Sequence, residues 1–342
     1  MLPRYDITQS YDWNYAHAPD ALPDVEVPSC PGDWQFLGIP VNSPLGIPAG
    51  PLLNSRWILY YARLGFDVLV YKTVRSRERA SYAPPNLLPV SATALMQEGT
   101  AIDADPQMAN PHTWAISFGM PSRAPDVWRA DVERARRGMA KGQVLVVSVV
   151  ASPEPEWTIE DLARDFAQCA AWAAESGAQV VEANLSCPNV CTQEADLYLD
   201  PRASSVIAAE LRARVPQLPL ALKVGLFPHP EQADALVEAV SPYVDGLSSA
   251  NSITAVVRGE FGGLRRGIGG AAISKRCCQE MHMLHEIITK QNSPLRLIGV
   301  GGVMDIHDVQ NRLAIGAQAV QLATAPMLDP EIGLKIRQEF SL

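Results

Sequence analysis

Gln179-Val-Val-Glu-Ala-Asn-Leu-Ser-Cys-Pro-Asn-Val190 changes character half-way along. Gln179 to Ala183 is short, mostly apolar and Val-rich, too brief for a helix and suited to a buried strand. The polarity then rises abruptly, with Asn184, Ser186, Cys187 and Asn189 crowded beside Pro188. Two carboxamides supply donors and acceptors, and a thiol supplies a group whose acidity its surroundings can tune. Pro188 stiffens the turn and restricts Cys187 to extended geometry. A lone Cys is most simply a small buried hydrophobe, but the flanking Asn residues favour a chemical role. Polar groups gathered at the C-terminal end of a strand are what an α/β barrel uses as its site.

Outward from this stretch, short apolar runs alternate with helix-length amphipathic segments. Strands are expected at Leu45–Ala49, Asp67–Lys72, Val144–Val150, Gln179–Ala183, Pro219–Val224, Val244–Ser248, Arg296–Val300 and Ala319–Leu322. Helices are expected at Ser55–Leu64, near Asp126–Met139, at Ile159–Glu175 and at Glu231–Val240. Eight βα units in series predict an α/β fold of the (β/α)8 TIM-barrel type over residues 41–342. Residues 1–40, rich in Pro, Asp and aromatics (Tyr5, Tyr11, Trp13, Tyr15, Trp34), read as an irregular N-terminal arm anchored by its rings. The connection after strand two is over-long; residues 74–122, rich in Pro, Arg and Ser, suggest a lid or substrate wall.

A net charge of −9 argues against nucleic acid or an anionic membrane as the main partner. No apolar run approaches the roughly 18 residues of a membrane span, and Met1-Leu-Pro-Arg-Tyr-Asp lacks a signal-peptide core, so a cytoplasmic protein is expected. The six cysteines form no C-x-x-C pair, and adjacent Cys277 and Cys278 suit a disulfide poorly. Free thiols and no metal are the economical reading.

The strand ends carry the chemistry. Strand one ends in Gly46-Ile-Pro-Ala-Gly50, small enough to admit a flat ligand. Strands two and five end in Lys72-Thr73 and Lys223; one such Lys could snorkel to the surface, but two suggest a shared purpose. Strand six ends in Ser248-Ser-Ala-Asn-Ser252. Gly299-Val-Gly-Gly302 follows strand seven, before a helix starting near Asp305, and Ala323-Thr-Ala325 follows strand eight. Glycines there, beside a helix N-terminus, make a phosphate site; a lone Gly-x-Gly-Gly is often only a tight turn. Gly267-Ile-Gly-Gly270 could line the same pocket. A dinucleotide fingerprint would follow the first strand instead, so a mononucleotide fits better.

Asn184-Leu-Ser-Cys-Pro-Asn189 resembles the catalytic loop of the dihydroorotate dehydrogenase family, specifically the class 1 members with Cys as base. The similarity runs from about Asn42 to Leu328, through Pro48-Ala49-Gly50, Tyr71-Lys72-Thr73, Ala221-Leu-Lys223, Ala250-Asn-Ser252, Gly269-Gly270, Gly299-Val-Gly-Gly302 and Gln321-Leu-Ala-Thr324, in family order. The resemblance implies FMN, held by Ala49, Gly50, Lys72, Thr73, Asn184, Lys223, Ala250, Gly269, Gly270, Gly301, Gly302, Ala323 and Thr324. It implies a substrate, dihydroorotate, touched by Lys72, Phe118, Gly119, Met120, Asn189, Asn251 and Ser252. Cys187 would remove the proton alpha to the carbonyl while hydride passes to the flavin N5. By analogy with class 1 relatives, a homodimer is expected.

The chain departs from this family at Ile116-Ser-Phe-Gly-Met-Pro-Ser122, where the family's Asn-Ser-Met-Gly-Leu-Pro-Asn opens with an Asn that holds the substrate. Ile116 cannot donate from its side chain; either Arg75 or Asn110 compensates, or the substrate is another cyclic amide or enone such as a dihydropyrimidine. Cys191-Thr-Gln-Glu replaces the Pro-Gly that often follows the Cys loop, and Ala323 stands where Gly is usual. A non-catalytic flavin binder and a barrel for another phosphorylated metabolite are the rival classes; the first leaves Cys187 and Lys223 idle, the second leaves them unexplained.

Overall fold

The computed structural model describes residues 2–186 and 196–340. Its centre is a closed barrel of eight parallel strands: β1 (Leu45–Ile47), β2 (Val68–Val74), β3 (Val144–Val149), β4 (Val180–Asn184), β5 (Leu220–Lys223), β6 (Gly246–Ser249), β7 (Arg296–Val300) and β8 (Ala317–Gln321). Each strand pairs with its neighbour in sequence, and β8 pairs back onto β1. The expected (β/α)8 barrel is therefore the observed fold, with strand ends shifted by up to two residues.

The helices that wrap the barrel begin where their sequences supply caps. Thr158 and Asp161 form a reciprocal capping box ahead of Ile159–Glu175. Asp305 accepts from the Asp308 N–H ahead of Ile306–Ile315, which Gly316 ends at φ +115°. Proline opens the helices Pro125–Gly138, Pro201–Arg214 and Pro230–Val240, where its missing N–H costs nothing.

Inside the barrel, side chains alternate in and out with the strand period of two. Val68, Val70, Val144, Val146, Val180, Ala221, Ile298 and Ala319 fill the lower interior. Phe36 and Leu37, at the tip of a small hairpin formed by Gln35–Phe36 and Ile39–Pro40, pack into the same cluster and stop the base. Leu37 approaches so closely that a Cβ on Gly246 would lie 2.8 Å from its Cδ2. The Leu37 N–H donates to the Gln318 side chain at 2.8 Å. The arm before this hairpin carries one helix, Tyr11–Ala16, and Tyr5 and Tyr11 are its buried anchors. Trp13 stays exposed. Among the described residues no helix is long and apolar enough to cross a membrane.

One feature was not foreseen. The insertion after β2 contributes Leu87–Pro89, Thr100–Asp103 and Thr113–Ile116, and the loop after β6 contributes Ile253–Arg258 and Leu264–Gly270. Together they form a second, five-stranded sheet in which Thr113–Ile116 pairs antiparallel with both Leu87–Pro89 and Leu264–Gly270. Gly267-Ile-Gly-Gly270 thus forms the end of a strand.

Candidate active site

The same alternation that buries the valines continues upward and turns polar. On β2 the inward series Val68, Val70 leads to Lys72; on β5, Ala221 leads to Lys223; on β4, Val180 leads to Glu182 and Asn184. The register of β2 against β3 shifts between Tyr71 and Val74, so that consecutive Lys72 and Thr73 both reach the cavity at the C-terminal mouth. The Thr73 and Ser148 hydroxyls lie 3.0 Å apart in a hydrogen bond.

This cavity gathers most of the residues singled out from the sequence. Ala49, Gly50, Lys72, Thr73, Asn184, Lys223, Gly269, Gly270, Gly301, Gly302, Ala323 and Thr324 line it, as do Phe118, Gly119, Met120, Asn251 and Ser252. Ala250 does not line it; fully buried, it donates its N–H to the Val300 carbonyl and fixes the turn from which Asn251 starts. Cys187 and Asn189 lie outside the described residues.

Charge in the cavity is one-sided. Lys72 and Lys223 are 7% and 4% exposed, and no carboxylate is among the described lining residues. The Lys223 side chain makes no hydrogen bond or ion pair among the described residues. A buried ammonium without a counter-charge is costly, so a cavity holding one favours an anionic ligand. Polar groups on the inner face of the strands, the Glu182 carboxylate among them, are also left waiting. Buried Glu182 Oε1, Ser248 Oγ and both side-chain polar atoms of Gln321 have no partner among the described residues.

The roof comes from the second sheet and the segment after it. Leu87 and Trp114 join Ile116 and Phe118 in an apolar wall; the sequence reading missed the first two, because they come from separate short strands. Beyond Ile116, Gly119 at φ +75° lies under the Tyr82 ring, where a Cβ would come within 2.6 Å of a ring carbon. Asn86 ties the roof down: it donates to the Ser117 and Tyr82 carbonyls at 2.9 and 3.0 Å and accepts from the Tyr11 N–H at 2.8 Å. The rings of Tyr11 and Phe118 meet edge-on at 5.9 Å. Arg75 and Asn110 do not compensate for Ile116. Arg75 is buried behind the loop with its Nε donating to the Met120 carbonyl at 3.1 Å, and neither residue lines the cavity. Ser122, the other departure, is buried and receives the Arg75 N–H on its hydroxyl at 3.0 Å, so it braces the same loop.

Residues 34–341 match the family described as dihydroorotate dehydrogenase. The chain belongs to that family. It is 32% identical to the dihydroorotate dehydrogenase of Dictyostelium discoideum over an alignment of 362 residues, covering 97% of this chain and 96% of the relative. It is 23% identical to the catalytic subunit of dihydroorotate dehydrogenase B (NAD(+)) from Desulforudis audaxviator, covering 86% of each. Among solved structures, the ferulenol complex of the Eimeria tenella enzyme superposes with a TM-score of 0.76 at 17% identity, over 96% of this chain and 88% of that one. The last likeness speaks for the fold alone. Membership makes the chain an oxidoreductase of the family's general kind, acting on a cyclic amide.

Proposed function

We propose that this chain is an FMN-dependent dihydroorotate dehydrogenase of the class 1 type, with Cys187 as the base. The observation that carries the reading is the unpaired Lys223 beside Lys72 in a cavity with no carboxylate among its described lining residues. The residues present fit FMN in three respects. Gly301 and Gly302 form a tight cradle at positive φ, where a Cβ on Gly302 would lie 2.4 Å from Ser274, so backbone N–H groups rather than side chains face a phosphate. The Gln321 amide, with no partner of its own, offers a donor and an acceptor to the heteroatom edge of a ring. Lys72 and Lys223 offer positive charge to a group that becomes anionic on reduction.

When bound, FMN supplies the two-electron acceptor. This chain's residues do the rest: the backbone of Phe118, Gly119 and Met120 receives a substrate carboxylate, Asn189, Asn251 and Ser252 orient the ring amide, and Cys187 takes a proton from carbon. A thiol of ordinary pKa near 8.5 needs only a modest fall to act at neutral pH. The homodimer expected of class 1 relatives is part of the same reading, and sedimentation would test it.

One observation favours a second reading. The roof facing the cavity is apolar at Leu87, Trp114 and Ile116, which suits a dihydropyrimidine without a carboxylate. Anaerobic mixing of the flavin-loaded protein with dihydroorotate separates the two. Rapid bleaching of the flavin supports the first; bleaching by dithionite but not by dihydroorotate shifts the proposal to the second. Cys187→Ala should keep the flavin and lose its bleaching by substrate, and normal turnover would remove Cys187 as base.

A further inference from the structure

Behind the Gly301-Gly302 turn lies a guanidinium that nothing above has used. Arg312, on the helix Ile306–Ile315, is fully buried. Its Nη2 donates to the Gly301 carbonyl at 3.1 Å and to the Ser274 carbonyl at 2.9 Å, with the Ser274 hydroxyl at 3.3 Å, and its Nη1 contacts the Cys278 sulfur. Its Nε has no partner among the described residues. Among the described residues no carboxylate pairs with it. Asp308 accepts from the Ser274 hydroxyl at 3.0 Å and the Met304 N–H at 2.9 Å, and so reaches Arg312 only through Ser274. Glu280 is paired with Arg276 at 2.6 Å.

We infer that Arg312 is a positioning residue for the flavin phosphate, an inference that rests on the FMN reading above. The C=O and N–H of a trans peptide point in opposite directions. By drawing the Gly301 carbonyl back onto itself, Arg312 turns the Gly302 N–H the other way, toward the cavity that Gly302 lines. That N–H donates to no group among the described residues. The turn has no slack: Gly301 and Gly302 sit at φ +98° and +71°, and a Cβ on Gly301 would lie 2.6 Å from the Cys277 sulfur. Arg312 also places a positive charge without a carboxylate partner behind a turn whose ligand carries negative charge. A buried charge of this kind is screened little and complements a phosphate without touching it.

The test compares FMN with riboflavin, which lacks only the phosphate. The full chain, stripped of flavin, is titrated with each, and the ratio of the two dissociation constants measures how strongly the phosphate is read. Arg312→Met should lower that ratio about tenfold, the scale of one charge-assisted hydrogen bond, while riboflavin affinity changes less than about threefold, near the lower end of that scale. Arg312→Lys, which keeps the charge, should retain more of the ratio than Arg312→Met. Should the Met variant not fold, Arg312→Gln carries the same prediction. Equal weakening of both flavins, the mark of a merely structural role, would overturn the assignment, as would an unchanged ratio. A wild-type chain that binds neither flavin overturns the FMN reading and this inference with it; one that prefers FMN, with a variant that does so equally, overturns Arg312 alone.

Discussion

Replacing Asn86 with Ala tests whether the N-terminal arm holds the roof of the site in place. Asn86 is 2% exposed and makes three side-chain hydrogen bonds, to the Tyr11 N–H, the Tyr82 carbonyl and the Ser117 carbonyl, each between 2.8 and 3.0 Å. Alanine removes all three and leaves buried backbone groups unmet. At about 1 kcal/mol for each bond, the loss should be about 3 kcal/mol, and more if water cannot reach the orphaned groups. With a urea slope of about 3 kcal/mol per M, the unfolding midpoint should fall by about 1 M. Asn86→Asp keeps the acceptor for Tyr11 but sets a buried carboxylate against both carbonyl oxygens, so it should fall at least as far. Because Ser117 precedes the Phe118-Gly119-Met120 backbone that lines the cavity, KM for the substrate should rise in both variants more than kcat falls. A midpoint shift below about 0.3 M for Asn86→Ala, equivalent to about 1 kcal/mol, would refute the reasoning.

Ile116→Asn restores the side-chain amide of the family pattern and should tighten dihydroorotate binding about two- to tenfold, the scale of one hydrogen bond; unchanged affinity in a flavin-reduction titration would count against the carboxylate pose. Arg337 and Asp67 form a buried ion pair, with Ser43 donating to the same carboxylate at 2.6 Å. Arg337→Met should destabilise the fold by about 3–5 kcal/mol, because Asp67 is left buried and uncompensated; calorimetry reads it. Burial pushes the Cys277 thiol up to about 12, well above the ordinary thiol range. The folded thiol therefore keeps its proton where the unfolded one has lost it, and its contribution to stability, complete below pH 9, is lost as pH rises from 9 toward 12. At pH 8, iodoacetamide should leave Cys277 unlabelled in the folded protein and label it in urea.

The barrel was legible because each of its strands is a local apolar run ending in a chemical change, as at Lys72, Asn184 and Lys223. Those positions also revealed the cavity, since parallel strands deliver their C-terminal ends to one place. The second sheet was hidden for the opposite reason. Its strands are three to seven residues long, and the pairings that join the insertion to the later hairpin span more than a hundred residues, as between Ile116 and Gly267 or Thr100 and Ala255. Local pattern says nothing of such pairings, so Leu87 and Trp114 gave no sign of forming a wall. Asn86 and Arg312 were equally silent, and Arg75 was weighed only as a stand-in for the amide that Ile116 lacks. Each acts by reaching a backbone carbonyl that only the fold brings near, and a lone Arg or Asn in a loop or helix has no signature of that.

The stopper made by Phe36 and Leu37, with the valine layers above it, leaves the barrel a blind-ended vessel. On the proposed reading, the compound that gives up electrons and the one that takes them away both work from the C-terminal side, next to the same cavity. Where they share one doorway they must take turns, and steady-state rates against the two concentrations would fall on parallel lines in a double-reciprocal plot, each compound inhibiting the other when in excess.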